Sequence, residues 1–476
     1  MKILSILSDH RFIGFDRMKV LLPDGCKIEM PTQSPFIKYL CRFRSLVRLF
    51  RLEPRCATFL TEDILILAFL RKLWFISLSK ANIVSVENLR IGFSEVLTFC
   101  SMRSYGMNVV YYGDYGQNVN GEEIHIYKLD ESLHSEICYT FPAGSVKHIH
   151  NILYDKYRER FFIFTGDFGD DVGIYIANSD FSKVTPYLVG QQSYRAVIGK
   201  VLENGLLYAT DAVMEGKYLY YVPFSDSIPR KLLSLGGSVI YGLILKEGLV
   251  FSTTVEPRPS VSSKIISLID NRRGKGIKSN LIDVFYVSDD LACQKLKSYK
   301  KDFLPMRLFQ YGCVTFPVLF DEHMEISSLP VNPVSVDDYE FKSYINKKVA
   351  NDFNDITLKC ISANEDGIPI GKGNILKKEG DKYTLQTSFT RSNQTDILER
   401  LLMCTIHSNF SQKNERFSVT SKIAGNPMLS YITYYPVLSG EYIVAGCTID
   451  FNKGSVNISA VGYSDDTAKL SDIPYD

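Results

Sequence analysis

The sequence predicts an all-β protein, a five- or six-bladed β-propeller followed by a C-terminal β-sandwich. Short runs rich in β-branched and aromatic residues, bounded by Asp, Gly, Asn or Ser, are typical of strands and their turns. Residues 146–197 contain four such runs in succession. Similar strand groups recur along the chain at close to the ~40–50 residues of a four-stranded propeller blade.

The repeat is clearest where an apolar strand ends in a small or polar pair. Asp114, Asp167, Asp211 and Thr254 take equivalent places, separated by 53, 44 and 43 residues. A second aromatic strand follows each of them after a loop. Further units near residues 57–89 and 303–320 would bring the ring to five or six blades, and closing the ring removes open sheet edges. A pair of stacked β-sandwiches is the alternative architecture.

Three domains are predicted. Residues 1–56 contain strands and a basic amphipathic helix over 36–52, in which apolar residues recur at helical spacing among Lys and Arg. We expect this helix to dock on the propeller with its arginines outward; a peripheral contact with a membrane or a partner protein is the alternative. The propeller spans 57–330. Short strands and polar turns predict a β-sandwich over 335–476, with one helix at 395–404.

The composition narrows the classes of partner and compartment. The 476 residues carry 54 Lys and Arg against 53 Asp and Glu, so no bulk charge favours nucleic acid, and none is predicted as a partner. Ten cysteines without a C-x-x-C pair are typical of free thiols in a reducing compartment. The sequence shows neither a secretory signal nor an apolar run of about 20 residues, the length that spans a membrane. We therefore predict a cytoplasmic protein.

Several polar residues are expected to meet at the propeller channel. The first strand of each blade lines the channel, and the loops that leave the strands form a funnel face. Imidazole, guanidinium and carboxylate groups that converge there suit an acidic sugar or acid–base chemistry. The candidates from first strands are His148, His150, Arg195, Tyr241 and Arg307, and those that follow neighbouring strands are Asp114, Asp167 and Asp211.

The catalytic hypothesis assigns the general acid or base to His148 or His150, with Asp167 orienting a histidine or serving as the acid. Arg195 would bind a carboxylate or hydroxyls of the substrate. The further substrate-binding candidates are Asp114, Asp211, Tyr241 and Arg307. Backbone-bonded histidines and turn-forming aspartates are the alternative. Asp167 is also the available third ligand for a metal ion, but no spacing motif demands one. No metal and no other cofactor is predicted.

Two stretches carry a resemblance to a known family: HIHNILYDKYRERFFIFTGD followed by GIYIANSDFSKVTPYLV, and YRAV leading to LLYATDAVMEGKYLYYV. Here the chain resembles the bacterial BNR or Asp-box β-propeller proteins, the architecture that includes sialidases. In that family a strand ends in a structural Ser-x-Asp-x-Gly-x-Thr-Trp hairpin. Asn178 stands for its Ser, Asp180 keeps the Asp, Ser182 replaces the Gly and Thr185 the Trp. Isolated positions are kept by Asp130, Ser288 and Asp290. Sialidases also need a Tyr–Glu nucleophile pair, which we do not place in this sequence, so sialidase activity is not predicted.

The resemblance implies work in surface-polysaccharide synthesis. The chain would bind or act on a glycan or its nucleotide- or lipid-linked precursor, as a glycoside hydrolase- or lyase-like enzyme that uses channel His and Asp. The alternative is a non-catalytic scaffold for protein–protein interaction in polysaccharide assembly. The C-terminal domain fits either hypothesis, as a carbohydrate-binding module or an oligomerisation domain.

Overall fold

A computed structural model describes the chain in two compact units, residues 1–325 with 332–340 and residues 326–331 with 341–476. The residues that it describes are 1–31, 35–93, 95–167, 172–212, 216–258, 268–324, 326, 328–336, 367–369, 376–379, 382–388, 442–450 and 455–462.

The first unit is a six-bladed β-propeller, as the repeat predicts. The first blade contains β1 (Lys2–Ile6), β2 (Phe12–Asp16), β3 (Lys19–Leu21), β4 (Lys27–Glu29) and, at its inner edge, β26 (Val318–Leu319). The second contains β5 (Cys56–Phe59), β6 (Ile64–Phe69), β7 (Lys72–Ser77) and β8 (Asn82–Asn88). The third contains β9 (Cys100–Ser101), β10 (Val110–Gly113), β11 (Ile124–Leu129) and β12 (Ser135–Phe141).

The remaining three blades have the same antiparallel order. The fourth contains β13 (His148–Asp155), β14 (Arg160–Gly166), β15 (Gly173–Asn178) and β16 (Val184–Val189). The fifth contains β17 (Ala196–Leu202), β18 (Gly205–Thr210), β19 (Tyr218–Pro223) and β20 (Arg230–Ser234). The sixth contains β21 (Val239–Leu245), β22 (Gly248–Thr253), β23 (Leu281–Ser288) and β24 (Cys293–Lys300).

Other elements accompany the blades and form the second unit. In the first unit these are the helices α1 (Pro35–Leu40), α2 (Arg44–Phe50) and α3 (Met306–Phe309), and the pair β25 (Cys313–Thr315) and β28 (Asn332–Val334). The second unit pairs β27 (Ser328–Pro330) with β29 (Gly367–Pro369). It also contains an antiparallel sheet of β30 (Leu376–Glu379), β31 (Lys382–Ser388), β33 (Ser455–Gly462) and β32 (Tyr442–Asp450). The rest of the predicted sandwich, and the predicted helix at 395–404, lie outside the described residues.

Burial is greatest in the second strands of the blades and least in the outermost strands. The second strands β14, β18 and β22 are buried at almost every residue, and apolar residues fill their centres (RFFIFTG, GLLYAT and GLVFST). The outermost β8 (NIVSVEN) instead alternates between exposed and half-buried residues. Neighbouring blades share their cores; Phe162 and Phe164 of the fourth blade pack with Leu206 and Tyr208 of the fifth.

The turns between third and fourth strands contain the degenerate hairpin. Asn178 Oδ1 accepts the backbone N–H of Lys183 at 3.0 Å, and Asp180 Oδ1 accepts that of Ser182 at 2.9 Å. Asp130 makes the same bond two residues ahead in the third blade, at 3.0 Å. These aspartates satisfy turn N–H groups, which is a structural role.

The ring closes through residues that are far apart in the sequence. Strand β26 pairs in parallel with β1, with Ser5 opposite Val318. The Asn332 side chain completes the closure, since its Oδ1 accepts the Ile3 N–H at 2.7 Å and its Nδ2 donates to the Ile3 carbonyl at 2.8 Å. The propeller therefore begins at Lys2 and not at residue 57, the boundary expected from the sequence. Strands β3 and β4 contain only three residues each, which is too short for the repeat to be visible.

The N-terminal amphipathic segment differs from its prediction in two respects. It forms two short helices, α1 and α2, in place of one helix over 36–52. The arginines are not all outward: Arg48 is 2% exposed, and its guanidinium lies 2.7 Å from the Asp302 carboxylate and donates to the Phe309 carbonyl at 2.9 Å. Arg42 and Arg51 are exposed as expected. Within the described residues, the helices are all too short and too polar to cross a membrane.

Candidate functional site

The four equivalent residues of the repeat occupy one structural position. Asp114, Asp167, Asp211 and Thr254 each directly follow the second strand of blades three to six. In the last two blades the backbone N–H of this residue donates to the carbonyl of the residue that precedes the inner strand. The N–O distances are 2.9 Å for Asp211 and 2.8 Å for Thr254. The predicted alignment is confirmed. It places these side chains at the end of the blades where the inner strands begin.

His148 and His150 stand at the start of β13, the inner strand of the fourth blade. Both side chains are buried, and their Nε2 atoms are 3.0 Å apart. The Nδ1 of His148 lies 2.7 Å from the Gly116 carbonyl oxygen, and the Nδ1 of His150 lies 2.9 Å from that of Ala196. A carbonyl oxygen only accepts hydrogen bonds, so both Nδ1 atoms carry a proton. Each ring therefore directs its Nε2 into the site.

Asp167 meets both imidazoles through one oxygen. Its Oδ1 lies 3.4 Å from the Nε2 of His148, 3.5 Å from that of His150 and 2.8 Å from the Arg195 guanidinium. Burial alone would raise the pKa of Asp167, but its contacts with the two histidine rings and the charge of Arg195 hold that pKa well below its usual range. Asp167 is therefore ionised, which favours the orienting role over that of a general acid.

Arg195 connects two blades of the site. It precedes β17, is largely buried, and lies 2.9 Å from Asp211 as well as 2.8 Å from Asp167. Burial opposes its charge, yet the carboxylates of Asp211 and Asp167 raise the pKa of Arg195. Burial also lowers the pKa of His150, so the site contains a fixed cation beside an imidazole that resists protonation.

Two residues that the sequence analysis missed extend the site. Glu256 accepts a hydrogen bond from the Thr254 hydroxyl at 3.1 Å, and burial and the charge of Asp211 raise the pKa of Glu256 to about 7. Lys217 is 1% exposed, and among the described residues its ammonium has no hydrogen-bond partner. Burial lowers the pKa of Lys217, against the charges of Glu256 and Asp211. The position of Glu256, two residues after the fourth repeat position, is a signal that sequence reasoning could have used.

The site thus brings together five of the eight predicted residues and two others. We call this group the channel-end site. Its members are His148, His150, Asp167, Arg195, Asp211, Lys217 and Glu256.

Three predicted residues lie elsewhere. Asp114 turns away, binding the Arg90 guanidinium at 2.7 Å and the His125 N–H at 2.9 Å. Arg307 lies on α3, because the stretch MRLFQYG begins as a helix where a first strand was expected, and it donates to a backbone carbonyl. Tyr241 does line the channel from β21, within a cavity of about 200 Å³, and its hydroxyl lies 3.2 Å from that of Tyr311.

Comparisons with known proteins show no family for this chain. No family model matches the chain, and no curated protein matches it in sequence. Among solved structures, it is similar to the Pan2 WD40 domain of Neurospora crassa, at 8% identity over 56% of this chain and 70% of that one, with a TM-score of 0.35. It is also similar to a chain of a mitotic checkpoint complex, at 9% identity over 70% of this chain and 87% of that one, with a TM-score of 0.39. A third similar structure is a putative TolB from Agrobacterium tumefaciens, at 12% identity over 52% of this chain and 82% of that one, with a TM-score of 0.33. Of the resemblance to Asp-box proteins, only the propeller architecture is supported.

Proposed function

We propose that this chain is a propeller that binds a glycan or a charged glycan precursor at the channel-end site. The observation that carries the proposal is the buried Lys217 ammonium, which has no hydrogen-bond partner among the described residues and lies in the field of Glu256 and Asp211. A buried charge without a partner is costly, and a bound ligand would supply one. Sugar hydroxyls both donate and accept, so they suit a site where ammonium and carboxylate groups are mixed.

Calorimetric titration of the full chain with glucose, glucuronate and a nucleotide sugar tests the binding. We expect saturable binding of at least one of them, weakened about 10-fold or more in Lys217→Met, because loss of one charged hydrogen bond costs roughly 1.5–3 kcal/mol. Lys231→Met, on the exposed strand β20 of the same blade, is the matched control and should bind as the native chain does. Absence of saturable binding to all three probes, or equal weakening by both variants, would contradict the proposal.

Catalysis at the same site is the second candidate. Its support is the pair of imidazoles whose Nε2 atoms face the ionised Asp167. A positioned general acid or base contributes roughly 10²–10⁴-fold to a rate. Release of a free sugar or of an unsaturated product from a glycan would distinguish catalysis from binding alone. For either candidate, we also propose that the protein works in the cytoplasm, in surface-polysaccharide synthesis.

A scaffold function is favoured by a different surface. The side chains of Phe36, Tyr39, Phe43 and Phe50 are each more than 40% exposed on and between α1 and α2. Clustered exposed aromatic side chains are typical of interaction surfaces. They suit a protein partner in a larger assembly, and a scaffold of this kind would bind such a partner without turning over any glycan.

A further inference from the structure

Three potential ligand atoms converge within the channel-end site. The Nε2 atoms of His148 and His150 are 3.0 Å apart, and they lie 3.4 and 3.5 Å from Asp167 Oδ1. Tetrahedral ligands bonded to a zinc ion at ~2.0–2.1 Å are separated by about 3.3 Å. The three atoms therefore already have the spacing of ligands around one ion.

The hydrogen bonds at Nδ1 leave the two facing Nε2 atoms with no positive charge between them. Both Nδ1 protons are held by backbone carbonyls, at Gly116 and Ala196. Neutral rings in this tautomer have a lone pair at Nε2, so two lone pairs and a carboxylate oxygen face one another at about 3 Å. This arrangement is repulsive unless a proton or a metal cation lies among the three atoms. A carbonyl bond at Nδ1 that directs Nε2 to the ion is also the usual second-shell arrangement of metal-binding histidines.

The backbone keeps this space open. A Cβ atom added to Gly166 would lie 2.2 Å from the His150 Nε2 and 3.0 Å from the His148 Nε2. The glycine thus leaves room beside the Nε2 atoms that a side chain would fill. Arg195 donates to Asp167 and is itself held by Asp211. A residue that is not one of the three ligands therefore also orients the Asp167 carboxylate.

We propose that His148 Nε2, His150 Nε2 and Asp167 Oδ1 bind one divalent first-row transition-metal ion, such as Zn²⁺. Two imidazoles and one carboxylate suit Zn²⁺ or Fe²⁺, whereas Mg²⁺ and Ca²⁺ prefer oxygen ligands alone. Three protein ligands leave a coordination position for water or substrate, as catalytic metal sites do. The Asp167 side chain is partly exposed, unlike the two buried imidazoles. The proposal stands whether or not the site binds a glycan.

The test uses the full chain, freed of any affinity tag. Its metal content is measured by elemental analysis as purified, and Zn²⁺ and Co²⁺ are titrated into chelator-treated protein by calorimetry and visible absorption. We expect one ion per chain, with Co²⁺ bands typical of low coordination. Because Zn²⁺ binds more tightly than Mn²⁺, Fe²⁺ or Co²⁺ at a given nitrogen and oxygen site, a failure to bind Zn²⁺ would overturn the proposal.

Variants decide whether the ion is bound at this site. His148→Ala, His150→Ala and Asp167→Asn should each weaken Zn²⁺ binding by at least about 100-fold, since even second-shell changes cost ~10–100-fold. His125→Ala removes another buried imidazole, on β11 of the neighbouring blade, and should leave Zn²⁺ affinity unchanged. Thermal unfolding of each variant confirms that it folds. If the histidine variants do not fold, Gly166→Ala, which inserts a methyl group beside both Nε2 atoms, takes their place.

Two results would overturn the metal site: Zn²⁺ affinity unchanged in the folded trio variants, or an equal loss in His125→Ala. Either would leave the two imidazoles sharing a proton. Sugar titrations of the chelator-treated protein separate this outcome from the glycan proposal. Binding of a sugar in the absence of metal would support that proposal even if no ion binds.

Discussion

At the scale of single residues, equivalent positions in the repeat have acquired different chemistry. Asp114 and Asp167 both follow a second strand, but Asp114 binds Arg90, whereas Asp167 binds two histidines and Arg195. The sequence repeat predicts the backbone position of each residue. It does not predict the two arginines, because Arg90 lies in the loop after β8 and Arg195 belongs to the neighbouring fifth blade. Five site residues were nevertheless predictable, since inner-strand starts and second-strand ends meet at the same end of a propeller.

Glu256 gives a residue-scale prediction about pH. Its folded-state pKa is raised from 4.5 to about 7 by burial and by the charge of Asp211. Between these values the folded chain holds a proton that the unfolded chain releases, so this residue makes stability fall as pH rises from about 4.5 to 7. Glu256→Gln abolishes that loss. Relative to the native chain, the variant should gain at most about 3 kcal/mol of unfolding free energy between pH 5 and pH 8, at 1.36 kcal/mol per pKa unit.

Urea unfolding of both proteins at pH 5 and pH 8 measures this difference. The control is Glu136→Gln on the outer strand β12, where the side chain is exposed, and it should show no comparable gain. Parallel pH dependences for the native chain and Glu256→Gln would show that Glu256 is ionised at little cost in the folded protein.

At the scale of elements, the docking of α2 shows the limit of sequence patterns. Helical spacing of apolar residues located the segment, and Val47 does point into the core shared by the first two blades. The same pattern assigns every arginine to solvent, because it contains no information about a distant carboxylate. Asp302, 254 positions later, accepts Arg48 in the buried interface. The exposed Arg42, Arg51 and aromatic side chains leave a peripheral membrane contact through 36–52 as a prediction.

The buried ion pair gives the element-scale prediction. Arg48→Met should destabilise the first unit by about 3 kcal/mol, since removing one member of a buried pair leaves the other charge uncompensated and typically costs 3–5 kcal/mol. The expected loss is at the lower end because Lys301 also contacts Asp302. Urea unfolding measures it. Arg51→Met, at the exposed end of the same helix, should change stability by less than about 0.5 kcal/mol. Equal effects of the two substitutions would show that Arg48 adds nothing to docking.

At the scale of the whole molecule, the sequence predicted the repeating blades but not how the ring closes. Blades three to six keep their period, so Asp114 to Thr254 could be aligned by counting. The first blade pairs β1 with β26 although Ser5 and its partner Val318 are 313 positions apart (318 − 5), and local patterns do not reveal such a pairing. The insertion within the sixth blade, between β22 and β23, likewise interrupted the period without interrupting the sheet.

Ring closure gives the last prediction. The buried Asn332 amide satisfies both backbone groups of Ile3, and Asn332→Ala would leave that N–H and carbonyl without these partners. Each unsatisfied buried group costs about 1–3 kcal/mol, so for two groups we expect a loss of about 2–6 kcal/mol and faster amide exchange in β1. The control is Asn118→Ala. Asn118 bonds the N–H and carbonyl of Glu122 in the same way, at 2.7 and 3.0 Å, but in an exposed turn and only four positions along the chain. Its loss should leave exchange in β1 unchanged, because water replaces both bonds and the turn belongs to the third blade, between β10 and β11. If Asn332→Ala left the exchange of residues 2–6 as slow as in the native chain, the pairing of β1 with β26 would suffice to close the ring.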